Sequence, residues 1–149
     1  MNPSLPTAQS AASPEIRTRI LRLIEQRNLC GLANDTKWNE LISLMRAKEG
    51  WKPHFRCKCI DGTFVDWDRE WFYHLPFPLL SLEWLDLSGI EKSNHGKMLA
   101  PTQIDHSEWI KGCLRQIGFD YQKGRFMVRI FGYSPKSHEL FDQSLLNCD

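Results

Sequence analysis

The sequence predicts an α+β domain, in which helices pack on one face of a mainly antiparallel sheet of about four to five strands. Three stretches repeat apolar residues with the 3.6-residue period of a helix, and others alternate with the two-residue period of a strand. Short turns at Asp61–Gly62 and Lys123–Gly124 join neighbouring strands and favour hairpins. The resulting order is helix, helix, two strands, strand, helix, two strands, which leaves the order of strands in the sheet open.

The N-terminal part of the chain predicts two helices. Residues 1–13 are rich in Ser, Ala and Pro, and we expect a flexible segment there. A Ser-Pro pair then opens a helix from Pro14 to about Asn28. The second helix runs from about Thr36 to Lys48, with Asp35 or Thr36 as its cap. Its apolar positions follow the i, i+3, i+4, i+7 pattern and should be core: Trp38, Leu41, Ile42 and Met45.

The middle of the chain predicts a hairpin and then a further strand. His54 to Ile60 forms the first strand, with Arg56 and Lys58 facing outward, and Thr63 to Val65 returns. Residues from Asp66 to Pro78 are irregular because their two prolines exclude a helix. The strand Leu82–Leu87 follows.

The C-terminal part predicts one more helix and one more hairpin. Ser88 to Pro101 should be an exposed loop. The third helix spans about His106 to Ile117, and Asp105 with Glu108 has the spacing of a capping box. Two strands, Phe119–Gln122 and Arg125–Tyr133, then form a hairpin. Residues 14–133 are therefore one domain, and a weak amphipathic patch in the tail, 134–149, favours a short helix.

The stretch Ser81 to Ser88 carries one carboxylate in each of its two rows of side chains, Glu83 and Asp86. A central strand tolerates such groups only where they are paired or reach water at the end of the sheet.

The composition is that of an ordinary globular chain. Its 149 residues are 42% hydrophobic and 25% charged, with a net charge of +1, so there is no general attraction to nucleic acid or anionic membranes. No apolar run of about 18 residues predicts a membrane span. The N-terminus lacks the pattern of a signal peptide, so we expect a cytoplasmic protein.

The cysteines do not predict disulfides, a metal site or a catalytic thiol. Their odd number and uneven spacing favour reduced thiols. Cys57 and Cys59 have no second pair to complete a zinc site and should be small core residues. Cys113 falls on the apolar face of the third helix. We therefore expect no metal and no cofactor.

Aromatic and acidic residues are concentrated between Asp61 and Tyr73, where Arg69 is the only cation. Trp and Tyr are favoured anchors of protein interfaces, and acids attract a basic partner. We expect this segment to bind a protein partner, with two further acids from the following strand. The predicted contact residues are Asp61, Asp66, Trp67, Asp68, Glu70, Trp71, Tyr73, Glu83 and Asp86.

Two other functions stay open. His74 and the nearby carboxylates could form the acid/base group of a small hydrolase or modifying enzyme, if they converge in one cleft. A nucleic-acid-binding module would instead need a contiguous positive face with Arg56, Lys58, Arg125 and Arg129, which the net charge makes the less favoured alternative.

Three stretches resemble a family of small bacterial proteins of unknown function. They are Asn34–Trp38 at a helix start, Leu82–Asp86 on a strand, and Val128–Tyr133 at the end of the last strand. The resemblance covers about Ala33 to Tyr133 and implies no catalytic residues. Such proteins are similar to the immunity proteins encoded beside bacterial toxins. The expected function is therefore a non-enzymatic immunity protein, which occludes the active surface of a cognate toxin.

Overall fold

A computed structural model describes residues 5–93 and 102–142 of the chain. These residues form three α-helices, a five-stranded sheet and two two-stranded sheets, which confirms the predicted α+β class. No helix among them has the length and apolar character needed to span a membrane. In chain order the elements are α1 (Pro14–Gln26), β1 (Cys30–Gly31), α2 (Asp35–Ala47), β2 (His54–Cys59), β3 (Phe64–Asp68), β4 (Leu82–Ser88), β5 (Ile90–Ser93), β6 (Thr102–Asp105), α3 (Ser107–Ile117), β7 (Tyr121–Lys123), β8 (Val128–Phe131) and β9 (Tyr133–Ser134).

The five-stranded sheet has the order β3-β2-β4-β8-β7, and all its neighbours are antiparallel. The predicted strand Leu82–Leu87 is confirmed as the central strand β4, and each of its residues is buried. The predicted hairpins are confirmed as β2–β3 and β7–β8.

Helices α2 and α3 cover one face of this sheet. The predicted core residues Trp38, Leu41, Ile42 and Met45 are all buried. They pack in one cluster with alternate residues of the strands, such as Phe55, Cys57 and Leu85. The cap of α2 is one residue earlier than predicted, because the side chain of Asn34 accepts from the Lys37 N–H at 2.9 Å.

Helix α1 builds a second, smaller core. Ser13 caps this helix as predicted, and Ile20 packs with Leu29, Ile60 and Tyr133. The short pair β1–β9 aligns Gly31 with Tyr133 and joins this core to the end of the chain. The segment before α1 contacts the domain through Ala8, which is buried and donates its N–H to the Asn39 side chain at 2.7 Å.

Three local predictions were wrong. Strand β3 continues to Asp68, since a bulge opposite Arg56 keeps it paired with β2. Part of the expected loop Ser88–Pro101 is strand β5, which pairs with β6 after the loop, and residues 94–101 lie outside the described residues. The expected capping box of α3 does not form, because Asp105 accepts from Ser107 and Glu108 pairs with Lys111.

The residues after β9 lie across the sheet face opposite the helices. We call Pro135–Asp142 the C-terminal strap; it contains no helix within the described residues, and 143–149 lie outside them. Its backbone accepts hydrogen bonds from Arg56 and Arg129, which alternate along their strands with core residues. The prediction that Arg56 faces solvent was therefore wrong.

Candidate functional site

Strand β3 and the loop after it present a surface of aromatic and acidic side chains at the edge of the sheet. We call it the acidic aromatic surface; its members are Phe64, Asp66, Trp67, Asp68, Glu70 and Tyr73. Phe64 is 43% exposed and Tyr73 is 64% exposed, so both rings offer apolar area to the solvent at this edge. In the described part of the chain, β3 has β2 on one side and no strand on the other.

Backbone hydrogen bonds hold the acids of this surface in place. One oxygen of Asp68 accepts from the Glu70 N–H at 2.8 Å. The Glu70 carboxylate accepts from the N–H groups of Phe72 at 2.6 Å and Tyr73 at 2.9 Å. Each carboxylate thus folds the loop locally and is held in one position by main-chain donors.

These contacts also favour the charged forms of the acids. The Thr63 N–H donates to Asp61 at 2.9 Å and lowers the pKa of that carboxyl, which lies in the turn before β3. Burial acts to raise the pKa of Asp68, but hydrogen bonds from the Glu70 N–H and the His74 ring lower it overall. The hydrogen bonds therefore favour the charged forms of the Asp61 and Asp68 carboxyl groups.

Arg46 on α2 fixes the loop from behind. Its guanidinium donates to the backbone carbonyls of Trp71 and Phe72, both at 3.0 Å, and to that of Pro6 at 2.9 Å. The Trp71 side chain points into the fold and donates its indole N–H to the Pro53 carbonyl at 2.9 Å. The shape of the loop is therefore set by the helix layer.

Three of the predicted contact residues are not at the surface. Trp71 is fully buried against Phe55, because the core beneath α2 needs a large apolar group there. Glu83 is buried and forms a two-pronged ion pair with Arg27, at 3.1 and 2.9 Å. Asp86 is also buried, so these three residues cannot anchor a partner on the folded protein. The remaining predicted residues, Asp61, Asp66, Trp67, Asp68, Glu70 and Tyr73, are exposed or half-buried.

His74 lies between two carboxylates. Its Nδ1 is 2.8 Å from Asp68 and its Nε2 is 3.6 Å from Glu70. The convergence needed for an acid/base group therefore exists, but the His74 side chain is 58% exposed and stands on open surface. Among the described residues, no group of three His, Cys, Asp or Glu side chains is arranged to hold a metal ion.

A charged cluster that the sequence analysis did not predict lies under the C-terminal strap. We call it the buried arginine row; it consists of Arg56, Trp84, Asp86 and Arg129 on three neighbouring strands. Asp86 accepts from Arg56 at 3.1 and 2.8 Å and from Arg129 at 2.7 and 3.0 Å. The guanidinium carbon of Arg129 lies 3.7 Å from the centre of the Trp84 ring. The carboxylate of Asp86 on a strand indicated in the sequence that ion-pairing residues exist, but it did not indicate which residues they are.

This row takes two of the four cations of the predicted positive face, Arg56 and Arg129, away from the surface. Arg56 and Arg129 are both buried and share Asp86, and Lys58 pairs with Glu139 of the strap at 2.6 Å. The half-buried Trp67 covers Arg56, with 4.7 Å between the ring centre and the guanidinium carbon.

Comparison with known proteins gives a family but no activity. A family model described as a family of unknown function (DUF6678) matches residues 20–137. No curated protein and no solved structure matches the chain significantly. The match is wider than the resemblance described above, since it includes the second half of α1.

Proposed function

Since the chain belongs to DUF6678, a family of unknown function, we propose from its geometry that it is a non-enzymatic binding protein that captures a basic protein partner. The observation that carries the proposal is the acidic aromatic surface, where exposed aromatic rings stand among fixed carboxylates. The finer proposal is an immunity protein, whose partner is a toxin with a basic active surface.

The charge of this edge suits such a partner. From Asp61 to His74 the chain has four carboxylates and one arginine. Acids arranged in this way raise the rate at which a basic protein finds its docking site, and they disfavour acidic competitors. Because main-chain N–H groups already hold Asp68 and Glu70, little side-chain entropy is lost when a partner binds.

The aromatic side chains supply the apolar contact. Tyr73 and Phe64 bury large areas with few torsions to freeze, and a few such anchors carry most of the binding energy of an interface. Trp67 is held on Arg56 and extends the apolar area toward the strap. The edge of β3 also offers backbone groups to which an extended segment of a partner can add.

The test is a capture experiment with matched variants. Tagged protein is used to isolate partners from its native host, and these are identified by mass spectrometry. Asp66→Lys with Tyr73→Ser should lose a stoichiometric partner, and Tyr73→Ser alone should weaken binding about 30-fold, the effect of an average hot spot. The control variant combines Glu108→Lys with Leu21→Ser, which changes one exposed acid and one exposed apolar residue away from this surface.

The immunity proposal makes a further demand on the partner. The captured protein should be toxic when it is expressed alone and harmless when it is expressed with this chain. Equal capture by the surface variant and the control variant would contradict the proposed binding surface. A harmless partner, captured through this surface, would leave a binding protein but refute the immunity function.

A small hydrolase or modifying enzyme is a second candidate, favoured by the contacts of His74 with Asp68 and Glu70. Chromogenic ester and phosphate substrates test it directly. Turnover that disappears in His74→Ala would favour this candidate, whereas no turnover above that of His74→Ala favours the binding function.

A further inference from the structure

Helix α1 and the turn between β2 and β3 form a cavity that the proposed capture of a protein partner does not use. The cavity has a volume of about 230 Å³ and lies between α1, the turn residues 61–63 and the segment 76–81. Sites for drug-sized ligands usually measure about 300–1,000 Å³, so this cavity suits a smaller molecule.

The walls of the cavity are mostly apolar. Ile16, Ile20 and Leu23 contribute from successive turns of α1, and Ile60 and Phe77 contribute from the other elements. Ile20 and Ile60 are buried, whereas the other three are only half-buried. Apolar side chains that are still partly in water gain free energy when a ligand covers them. The body of a ligand in this cavity should therefore be apolar.

The uncharged polar side chains of Ser81 and Cys59 also line the cavity, but they already have partners. The Ser81 hydroxyl donates to the Pro78 carbonyl at 2.8 Å and lies 3.4 Å from the Cys59 sulfur. Burial raises the pKa of the Cys59 thiol, which is therefore neutral at physiological pH. Recognition of a charged ligand group thus depends on other residues of the lining.

Two residues of opposite charge supply this recognition. Arg19 of α1 and Asp61 of the turn both line the cavity, and both are exposed. The Thr63 N–H lowers the pKa of the Asp61 carboxyl most, and the positive charge of Arg19 lowers it further. Within the described residues, however, Arg19 and Asp61 form no direct ion pair. The two charges are near enough to attract each other, and a ligand that carries both charges can join them.

We propose that this cavity binds a free α-amino acid with an apolar side chain. The carboxylate of the ligand pairs with Arg19, its ammonium group pairs with Asp61, and its side chain covers the apolar walls. A zwitterion brings a charged hydrogen-bonding partner for each of the two residues. A terminus of a protein chain brings only one of these two charges, which favours the free amino acid. The proposal does not depend on the capture of a protein partner.

The test is an NMR titration of the full chain with L-leucine as the probe. Leucine should shift the amide signals of Asp61 and Thr63 in a saturable manner, and it should raise the melting temperature of the protein. Leucinamide lacks the carboxylate and isocaproate lacks the ammonium group. Each should bind about tenfold more weakly than leucine, since each loses one hydrogen-bonded charge pair. Glycine, which lacks the apolar side chain, should cause no saturable shift.

Substitutions of the two exposed charges assign each contact. Arg19→Gln should weaken leucine binding about tenfold and should abolish the preference for leucine over leucinamide. Asp61→Asn should abolish the preference for leucine over isocaproate. The matched control is Arg22→Gln, which removes an exposed cation of α1 that does not line this cavity. It should leave leucine binding unchanged, and circular dichroism should show an intact fold in all three variants.

Three results would overturn the proposal. The first is the absence of saturable shifts up to the solubility limit of leucine. The second is equal binding of leucine and leucinamide by the wild type, which would show that the ligand carboxylate has no partner. The third is an equal loss of leucine binding in Arg19→Gln and Arg22→Gln, which would reflect the total charge of α1 and not this cavity.

Discussion

Replacing Asp86 with asparagine removes a carboxylate that pairs with both Arg56 and Arg129, while the size of the side chain stays the same. In the wild type, four hydrogen bonds of 2.7 to 3.1 Å join the carboxylate to the two guanidinium groups. The amide has one acceptor oxygen, and its NH₂ group faces donors. With the amide oxygen in the position of Oδ2, three of the bonds are kept, whereas the Arg129 Nε–H then faces an NH₂ group and the two guanidinium groups lose the negative charge between them.

We expect Asp86→Asn to lower the free energy of unfolding by about 3–5 kcal/mol, the usual cost of breaking a buried ion pair from one side. That is a large part of the roughly 5–15 kcal/mol that stabilises a typical domain. The assay is urea unfolding, followed by circular dichroism at neutral pH. With a slope of about 2 kcal/mol per M, the midpoint should fall by roughly 1.5–2.5 M.

The matched control is Asp66→Asn, the same chemical change at an exposed position of β3. It should alter the free energy of unfolding by less than about 0.5 kcal/mol. If the two variants differ by less than about 1 kcal/mol, Asp86 does not neutralise buried arginines, and our account of the sheet face under the strap is wrong.

Three further predictions concern other parts of the fold. Gly132→Ala should destabilise the protein by about 1–3 kcal/mol in urea unfolding, because the new Cβ would clash with the Leu82 carbonyl oxygen. The control Gly112→Ala, on the open side of α3, should stabilise it by about 0.5–1 kcal/mol. Equal effects of the two variants would contradict the close approach of Gly132 to Leu82. A thiol reagent at pH 8 should label the exposed Cys30 in the native protein, whereas Cys57 and Cys59, whose pKa values burial raises, should react only after denaturant is added. Peptide mass mapping distinguishes the sites, and labelling of Cys57 in the native protein would refute its burial. Hydrogen bonds from Thr63 and Ser107 lower the pKa values of Asp61 and Asp105, so their contribution to stability is present above about pH 4, the pKa range of an unfolded Asp, and is lost as the pH falls through the folded values. Between pH 6 and pH 2.5 the urea midpoint should therefore fall less in Asp61→Asn with Asp105→Asn than in the wild type, and an equal fall would show that these carboxylates are not stabilised by folding.

The sequence was sufficient to predict the elements whose signal is local. The helices follow from their apolar period, and the strand Leu82–Leu87 from its composition. The expectation that Glu83 and Asp86 need partners was also confirmed, since Asp86 pairs with two buried arginines and Glu83 pairs with the partly exposed Arg27. The prediction that they contact a partner was wrong. A carboxylate on a central strand needs a cation, and the sequence does not tell whether that cation belongs to the same chain or to another protein.

Features that depend on distant residues were not predictable from local pattern. Arg56 alternates with core residues as an outward-facing cation would, but Trp67 and the strap, whose Leu140 is 84 positions away, cover its face. Trp71 lies within a run of aromatic residues, but its burial depends on Phe55 and on the fold of the Arg46 loop. The edge strand β3 was predicted to end at Val65, because no residue pattern in the sequence indicates the bulge opposite Arg56 that keeps it paired to Asp68.

The attachment of the loop to Arg46 has a consequence for how the acidic aromatic surface can change over evolutionary time. Arg46 holds the backbone oxygens of Trp71 and Phe72, not side chains, so the path of the loop beside Tyr73 does not depend on which residue occupies position 73. A substitution at this outward position can therefore change the surface while the loop keeps its path. Under the proposed binding function, such a chain can follow a diverging partner by surface replacement, with Arg46 and Trp71 kept beneath it.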